Sequence, residues 1–330
     1  MVEEILPGLF RLRMPLPGPL GFLNSYLIRG DRQAVLVDTG INTSEAWDEL
    51  QLQLGRVGLE PGSLTEVVLT HFHIDHVGLI PKLRSKSNVK LALHVIEAEL
   101  SERIAFSFNA MWAQIASFLK ANGVPTLLLK QMRKANPGAN NSEVYAYLAK
   151  ADHRFKGGET LNVDEYRFKI IWTPGHSPGH LCLYEAEKQI LIAGDSLLPS
   201  ITPNVTQVRE GVNALASYLK SLKELERLKV SLVLPAHGEP YTDSRLRIRQ
   251  LKEHHQRRLE EVLNLVQRPS TAYHVASMIR WDAPYRSWEE FPPLQKYLAV
   301  AEAIAHLELL RERGMVNIVR KTGINHYVIA

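Results

Sequence analysis

The stretch LTHFHIDHVG, residues 69–78, places His71, His73, Asp75 and His76 within six positions. An apolar run leads into it and Gly78 follows it. If the incoming strand ends near Thr70, His71 and His73 alternate on extended chain and point the same way. They can then share one metal position. Asp75 and His76 come after the chain turns and serve a second position. Imidazole and carboxylate together suit zinc, iron or manganese.

Further along, the same pattern recurs three times. IIWTPGHSPGH (170–180) puts His176 just beyond a hydrophobic run, LIAGDS (191–196) does so for Asp195, and LVLPAHGEP (232–240) for His237. Each run is Val/Ile/Leu-rich, ends in Gly or Pro, and then offers a metal-ligand residue. In a layered α/β domain, loops at one edge of a sheet are neighbours in space. Five histidines and two aspartates can therefore converge, enough for two metal ions whose shells are completed by solvent and substrate.

Strands are expected at 25–29, 34–38, 66–70, 89–93, 167–172, 189–194 and 230–235, with HLCLYE (180–185) as one more. TSEAWDELQLQLGRVG (43–58) reads as a helix with Thr43 or Ser44 as its cap. Residues 96–150 are helical in texture, broken at Pro125 and Pro137, and carry Phe106, Phe108, Met111, Trp112 and Phe118. Inside a strand-rich domain this reads as an insertion. Its aromatic residues form either a small helical core or a lid over a cleft. After Pro240 the chain turns almost wholly helical (243–267, 270–279, 294–314) and closes with two short strands around Gly323. Helix, helix, helix, hairpin is the order of a winged-helix module. The expected organisation is a catalytic domain over 1–240 and a winged-helix-like domain over 241–330.

Composition narrows the class. The formal net charge of +4 comes from 39 Lys and Arg against 35 Asp and Glu. The excess lies after Pro240, where 14 basic residues face 10 acidic ones. That permits nucleic-acid contact without demanding it. No apolar run reaches the roughly 20 residues of a membrane span. The N-terminal stretch, acidic at Glu3 and Glu4, does not read as a secretory signal, so a cytoplasmic protein is expected. The single cysteine, Cys182, excludes an internal disulfide and reads as a small buried hydrophobe. GxGxxG and P-loop patterns are absent, and no Ser/His/Asp or Cys/His set stands out. Among the other histidines, His94 is expected to be buried and satisfied. His254 and His255 are expected to be solvated on a charged helix. His153, His180, His274, His306 and His326 lack ligand spacing, although His180 follows His176 by four residues.

THFHIDHVG, TPGHSPGH, AGDS and PAHG, in that order, resemble the metallo-β-lactamase superfamily over about residues 5–240. The resemblance implies an α+β fold, a four-layer αβ/βα sandwich with a dinuclear site along one edge. It assigns His71, His73 and His176 to a first metal, Asp75, His76 and His237 to a second, and Asp195 as the bridge. The implied cofactors are two zinc ions, with iron or manganese as alternatives. No ligand position holds cysteine, unlike antibiotic-degrading zinc lactamases that use one. VDTG (37–40) also matches the family. Asp38 then either supports the ligands by hydrogen bonds or merely ends a strand in a turn.

The chemistry so implied is hydrolysis by a metal-bridging hydroxide, with Asp75 orienting the nucleophile or protonating the leaving group. An ester, thioester, lactone or similar small substrate is expected. The alternative is a single-strand-specific endoribonuclease, because the helical tail is similar to that of lactamase-beta-2-like proteins. Packing on the catalytic domain, homodimer formation and RNA contact are three open roles for that tail.

Overall fold

The apolar runs pair into two mixed sheets in a computed structural model that describes residues 2–330. The first sheet has seven strands in sequence order: β1 (Val2–Leu6), β2 (Leu9–Pro15), β3 (Phe22–Arg29), β4 (Ala34–Val37), β5 (Glu66–Val68), β6 (Lys90–His94) and β7 (His153–Phe155). It is antiparallel from β1 to β4 and parallel from β4 to β7. The second has five: β8 (Thr160–Val163), β9 (Tyr166–Trp172), β10 (Leu181–Glu185), β11 (Ile190–Gly194) and β12 (Leu232–Pro235). It is antiparallel except for the parallel pair β11 and β12. All the strands expected from sequence are present, and β1, β2, β7 and β8 add to them.

Strand chemistry explains the layers. β9 alternates, with Tyr166, Phe168 and Ile170 buried and Arg167 and Lys169 exposed, as a strand with one covered face should. β4, β10 and β11 are buried at every position, so both their faces are covered. One apolar cluster joins Tyr26, Ile28, Val35 and Val68 of the first sheet to Phe168, Ile170, Leu183 and Ile192 of the second. The sheets therefore meet face to face. α1 (Ser44–Arg56) packs on β2 and is capped by Thr43, whose Oγ1 accepts from the Ala46 N–H at 3.1 Å. Two short helices, α2 (Ile74–Val77) and α3 (Ile80–Lys86), follow β5. α4 (Val95–Ala121) follows β6 and breaks at Ser107, whose φ of −139° and ψ of 25° are not helical. No helix among the described residues is long and apolar enough to cross a membrane.

The chain divides into two compact units. One comprises residues up to Phe106, Asn141–Pro203 and Ser221–Ile248; the other comprises Ser107–Asn140, Asn204–Lys220 and Arg249–Ala330. The division thus runs through the expected insertion, assigns Asn204–Lys220 of the expected 1–240 domain to the second unit, and falls again after Ile248. α5 (Thr126–Ala135) belongs to the second unit and α6 (Ser142–Leu148) to the first, while α7 (Ala214–Glu226) and α8 (Ser244–Leu265) each have residues in both.

Within the second unit, α9 (Ala272–Met278), α10 (Pro293–Glu312) and the hairpin β13 (Val316–Lys321)–β14 (Ile324–Ile329) follow in the expected order. The grouping of 107–140 with this tail has a physical cause. α10 is buried almost all round from Ala299 to Leu310, so it needs partners on more than one side. It packs against α9 and also against α5, whose Leu128, Leu129 and Met132 are buried. Trp112 is buried here, 6.1 Å from the ring of Tyr297. Of the two readings of the insertion's aromatic residues, this one supports a small helical core.

His255 corrects the expectation of a solvated residue, since it is fully buried. Its Nδ1 lies 3.2 Å from Nε2 of His306, also fully buried, and His306 Nδ1 lies 2.9 Å from the Glu302 carbonyl. A carbonyl only accepts, so His306 carries its proton on Nδ1 and accepts from His255 through Nε2. Burial above all, with Arg258 and His254 adding repulsion against the pull of the Glu302 carbonyl, lowers the His306 pKa from 6.5 to about 3. Between those values the unfolded chain binds a proton that the folded unit refuses. Stability should therefore fall as pH drops from 6.5 towards 3, by about 1.4 kcal/mol per pH unit for one such histidine. Amide exchange in α10 followed from pH 7 to 4 should show this loss, and His306→Gln should flatten it; a slope equal in both proteins would remove the explanation.

Candidate metal centre

Strand direction gathers the ligand residues. β4, β5 and β6 are parallel, so Asp38, His71 and the start of α4 emerge at the same sheet edge. β11 and β12 are parallel, and Asp195 and His237 follow them. β9 is antiparallel to β10, as β11 is, so β9 runs with β11 and delivers His176 to the same end of its sheet. The seven side chains singled out in the sequence fall into three overlapping groups able to hold a metal ion: His71, His73 and His176; His71, His76 and Asp195; Asp75, His76 and His237.

Distances define two clusters. His71 Nε2 is 2.9 Å from His73 Nδ1, and His176 Nε2 lies 3.2 Å from the first and 3.0 Å from the second. On the other side, His237 Nε2 is 3.4 Å from Asp75 Oδ2, and His76 Nε2 is 3.7 Å from the same oxygen. Asp195 spans both: Oδ2 is 3.4 Å from His176 Nε2, while Oδ1 is 3.6 Å from both His76 Nε2 and His237 Nε2. Two donors each about 2.1 Å from a tetrahedral metal lie about 3.4 Å apart.

His76 Nε2 and Asp195 Oδ1 are buried with no hydrogen bond among the described residues. Three imidazole nitrogens facing one another cannot all be satisfied by each other's protons, whereas one cation satisfies three lone pairs. Electrostatics agree. Burial lowers the His71 and His73 pKa values, to about 3 for His73 with His176 adding repulsion, so both rings stay neutral. Burial also opposes charge on His76 and His237, but carboxylates outweigh it and raise both: Asp38, Asp195 and Asp75 at His76, Asp195 and Asp75 at His237. Burial works to raise Asp75, yet His76 and His237 bring it down to about 2. The pocket favours positive charge, and its residues fit a divalent metal.

Supporting hydrogen bonds fix the rings of His71, His76 and His237. Asp38 sits in the left-handed region, φ 59°, where its carboxylate turns back on the next strand. Its Oδ1 accepts from the Thr70 N–H, and its Oδ2 accepts from the Thr70 hydroxyl and from His76 Nδ1, each at 2.8 Å. Since the hydroxyl proton goes to Asp38, Thr70 Oγ1 accepts from His71 Nδ1 at 3.0 Å. Neutral His71 therefore presents a bare Nε2 to the cluster, and His76 does the same once a cation displaces its second proton. Of the two readings of Asp38, the geometry supports the orienting one.

His180 orients rather than ligates. Its Nε2 accepts from the Asp195 N–H at 3.0 Å, and Nδ1 reaches Thr173 Oγ1 at 2.8 Å. Gly194, with φ 49°, makes this approach possible, because a Cβ there would stand 2.7 Å from His180 Nε2 and 3.0 Å from Thr70 Cβ. The His237 turn is held by β3. Asn24 Nδ2 donates to the carbonyls of Pro235 and Gly238, Tyr26 donates to Pro235, and His237 Nδ1 lies 3.2 Å from the Phe22 carbonyl. Arg11 and Arg13 both pair with Glu239.

Thr70, Thr173, Asn24, Tyr26 and Glu97 are not singled out by the sequence. Glu97 has one available signal: it follows a strand parallel to the two that lead into Asp38 and His71. His94 is buried as expected, and its Nδ1 accepts from the Ile96 N–H at 3.1 Å, but its Nε2 has no hydrogen bond among the described residues.

A two-sheet sandwich that gathers buried nitrogen and oxygen donors at one edge defines a metal-dependent hydrolase. The chain belongs to the metallo-beta-lactamase superfamily, whose sequence pattern matches residues 18–237. It is 27% identical to the probable metallo-hydrolase YqjP of Bacillus subtilis (strain 168) over 310 residues, 91% of each chain. It superposes on the crystal structure of a metallo-beta-lactamase family protein from Thermus thermophilus with a TM-score of 0.78 and 31% identity, covering 99% of this chain and all of that one. A more distant relative, the atrochrysone carboxyl ACP thioesterase of Aspergillus fumigatus, is 22% identical over 81% of this chain and 67% of its own.

Asp38→Asn should turn an amide N–H toward His76 Nδ1 or Thr70. Either His76 then takes its proton on Nε2, where a metal would sit, or the Thr70 bonds are lost. Zinc affinity, measured by competition with a chromophoric chelator, should fall roughly 10- to 100-fold; an unchanged affinity would show that Asp38 only shapes a turn.

Proposed function

We propose that the seven side chains hold two divalent metal ions, zinc in the first instance, and that the protein hydrolyses a small acyl substrate: an ester, a thioester or a lactone. His71, His73 and His176 would hold the first ion and Asp75, His76 and His237 the second, with Asp195 between them. The observation that carries this reading is the Asp195 carboxylate, whose two oxygens face two different sets of nitrogens. Bound there, the metal supplies Lewis acidity and a water that ionises near neutral pH.

The chain's own residues set the rest of the chemistry. Asp75 is the most open of the carboxylates, with 24% of its side chain exposed, and it stays ionised down to about pH 2. In this reading it would orient an attacking water or pass that water's proton to a leaving group. Behind it, Phe72 and Tyr145 pack with ring centroids 6.3 Å apart. Burial, with Asp75 and Glu97 nearby, pushes the Tyr145 pKa well up, so its hydroxyl remains a neutral donor. Beside His237, the exposed turn LPGPLG (16–21) leads into Phe22. Aromatic and apolar groups around a charged cluster favour an organic acyl group over a bare anion. The thioesterase named among the relatives supports the same substrate class.

Purified protein should contain about two equivalents of transition metal by elemental analysis, in keeping with a two-metal site. Dipicolinate should abolish ester or thioester hydrolysis, and added zinc should restore it. Asp195→Ala should lower turnover by more than the roughly 10- to 100-fold that loss of an outer supporting residue costs. Cleavage of single-stranded RNA by protein that ignores every acyl substrate would overturn the substrate class, and metal-free protein of full activity would overturn the whole reading.

A further inference from the structure

Glu97 lies in the first turn of α4, outside every ligand group, and is fully buried. Its carboxylate joins two loops. Oε2 accepts from the Phe72 N–H at 3.0 Å, and Phe72 sits between His71 and His73. Oε1 accepts from the Ser177 hydroxyl at 2.9 Å and from the Gly179 N–H at 2.5 Å, both in the turn that begins at His176. No cation is among these partners. Three directed donors hold the group, and each belongs to a ligand loop.

We infer that Glu97 is a positioning residue that sets the separation of the two loops carrying His71, His73 and His176, and so tunes how tightly that set grips its ion. This rests on the metal reading above. Gly179 completes the fit, since a Cβ there would stand 2.7 Å from Glu97 Cγ and 2.8 Å from its Oε1. The backbone link from Leu181 N–H to the Thr70 carbonyl, 2.8 Å, joins the same loops one step back from the ligands. Beyond it, Glu97 spans the gap. Asp38 holds His76 directly and His71 through Thr70, so it serves both ligand sets, whereas the bonds of Glu97 go only to the two loops of the first.

Two variants test the assignment. Glu97→Gln keeps the volume but has only one carbonyl oxygen, so either Phe72 or Gly179 must lose its acceptor. Glu97→Asp keeps the charge and draws the carboxylate back by one methylene, too far to reach both loops. In the metal-free proteins, both variants should exchange the Phe72 or Gly179 amide faster than wild type, with the Asp195 amide unchanged because His180 holds it. In zinc titrations against a chromophoric chelator, one of two bound equivalents should weaken by roughly 10- to 100-fold, and the other should stay as in wild type. Wild-type zinc affinity and wild-type amide exchange in either folded variant would overturn the inference alone. Failure of the wild-type protein to bind zinc would overturn it together with the reading on which it rests.

Discussion

Mutual repulsion among buried lone pairs is the constraint around which this molecule is arranged. Imidazole nitrogens and carboxylate oxygens stand 2.9–3.7 Å apart with little solvent to screen them. Such a gathering is unfavourable unless a cation sits within it or the surroundings hold it rigidly. The protein does the second so that the first can happen. Two sheets share one apolar interface, and their strand ends converge on one rim. At that rim His71, His76 and His237 are each held through the ring nitrogen that faces away from the cluster.

The supporting set is almost all neutral or anionic. Asp38 and Glu97 take N–H and O–H donors, and Thr70, Thr173 and Ser196 hold His71 and His180 by hydroxyls. Arginines stay one layer out, on Glu239 beyond the His237 turn. A buried arginine among the ligands would compete with the metal for the same carboxylates. Its place outside leaves the field of the pocket negative.

Much of this was legible because two signals coincide. Runs such as LIAG and LVLP are hydrophobic enough to read as buried strands, and the residue type that follows each is one that binds metal. Spacing then does the rest, since only extended chain lets His71 and His73 face one way. The unread parts lacked such a coincidence. β1 and β2 mix charge with apolar residues, and Arg11 and Arg13 are tied by ion pairs to Glu239, far off in sequence. Glu97 looks like any glutamate opening a helix. His255 sits among charged neighbours on α8, and its burial depends on Tyr218 and His306. The grouping of 107–140 with the tail depends on the all-round apolar surface of α10, which local periodicity does not reveal.

The lone thiol has a consequence for the chemistry of the whole centre. Cys182 is fully buried, its sulfur lies 3.4 Å from the Ala193 carbonyl and from Thr173 Oγ1, and burial pushes its pKa up to about 11. Thiolate, not thiol, is the form that peroxides and alkylating agents attack. With the only sulfhydryl walled off and nitrogen and oxygen alone at the rim, this ligand set contains nothing that oxidation would strip away. A thiol-directed oxidant or alkylating agent therefore meets no reactive sulfur at this rim.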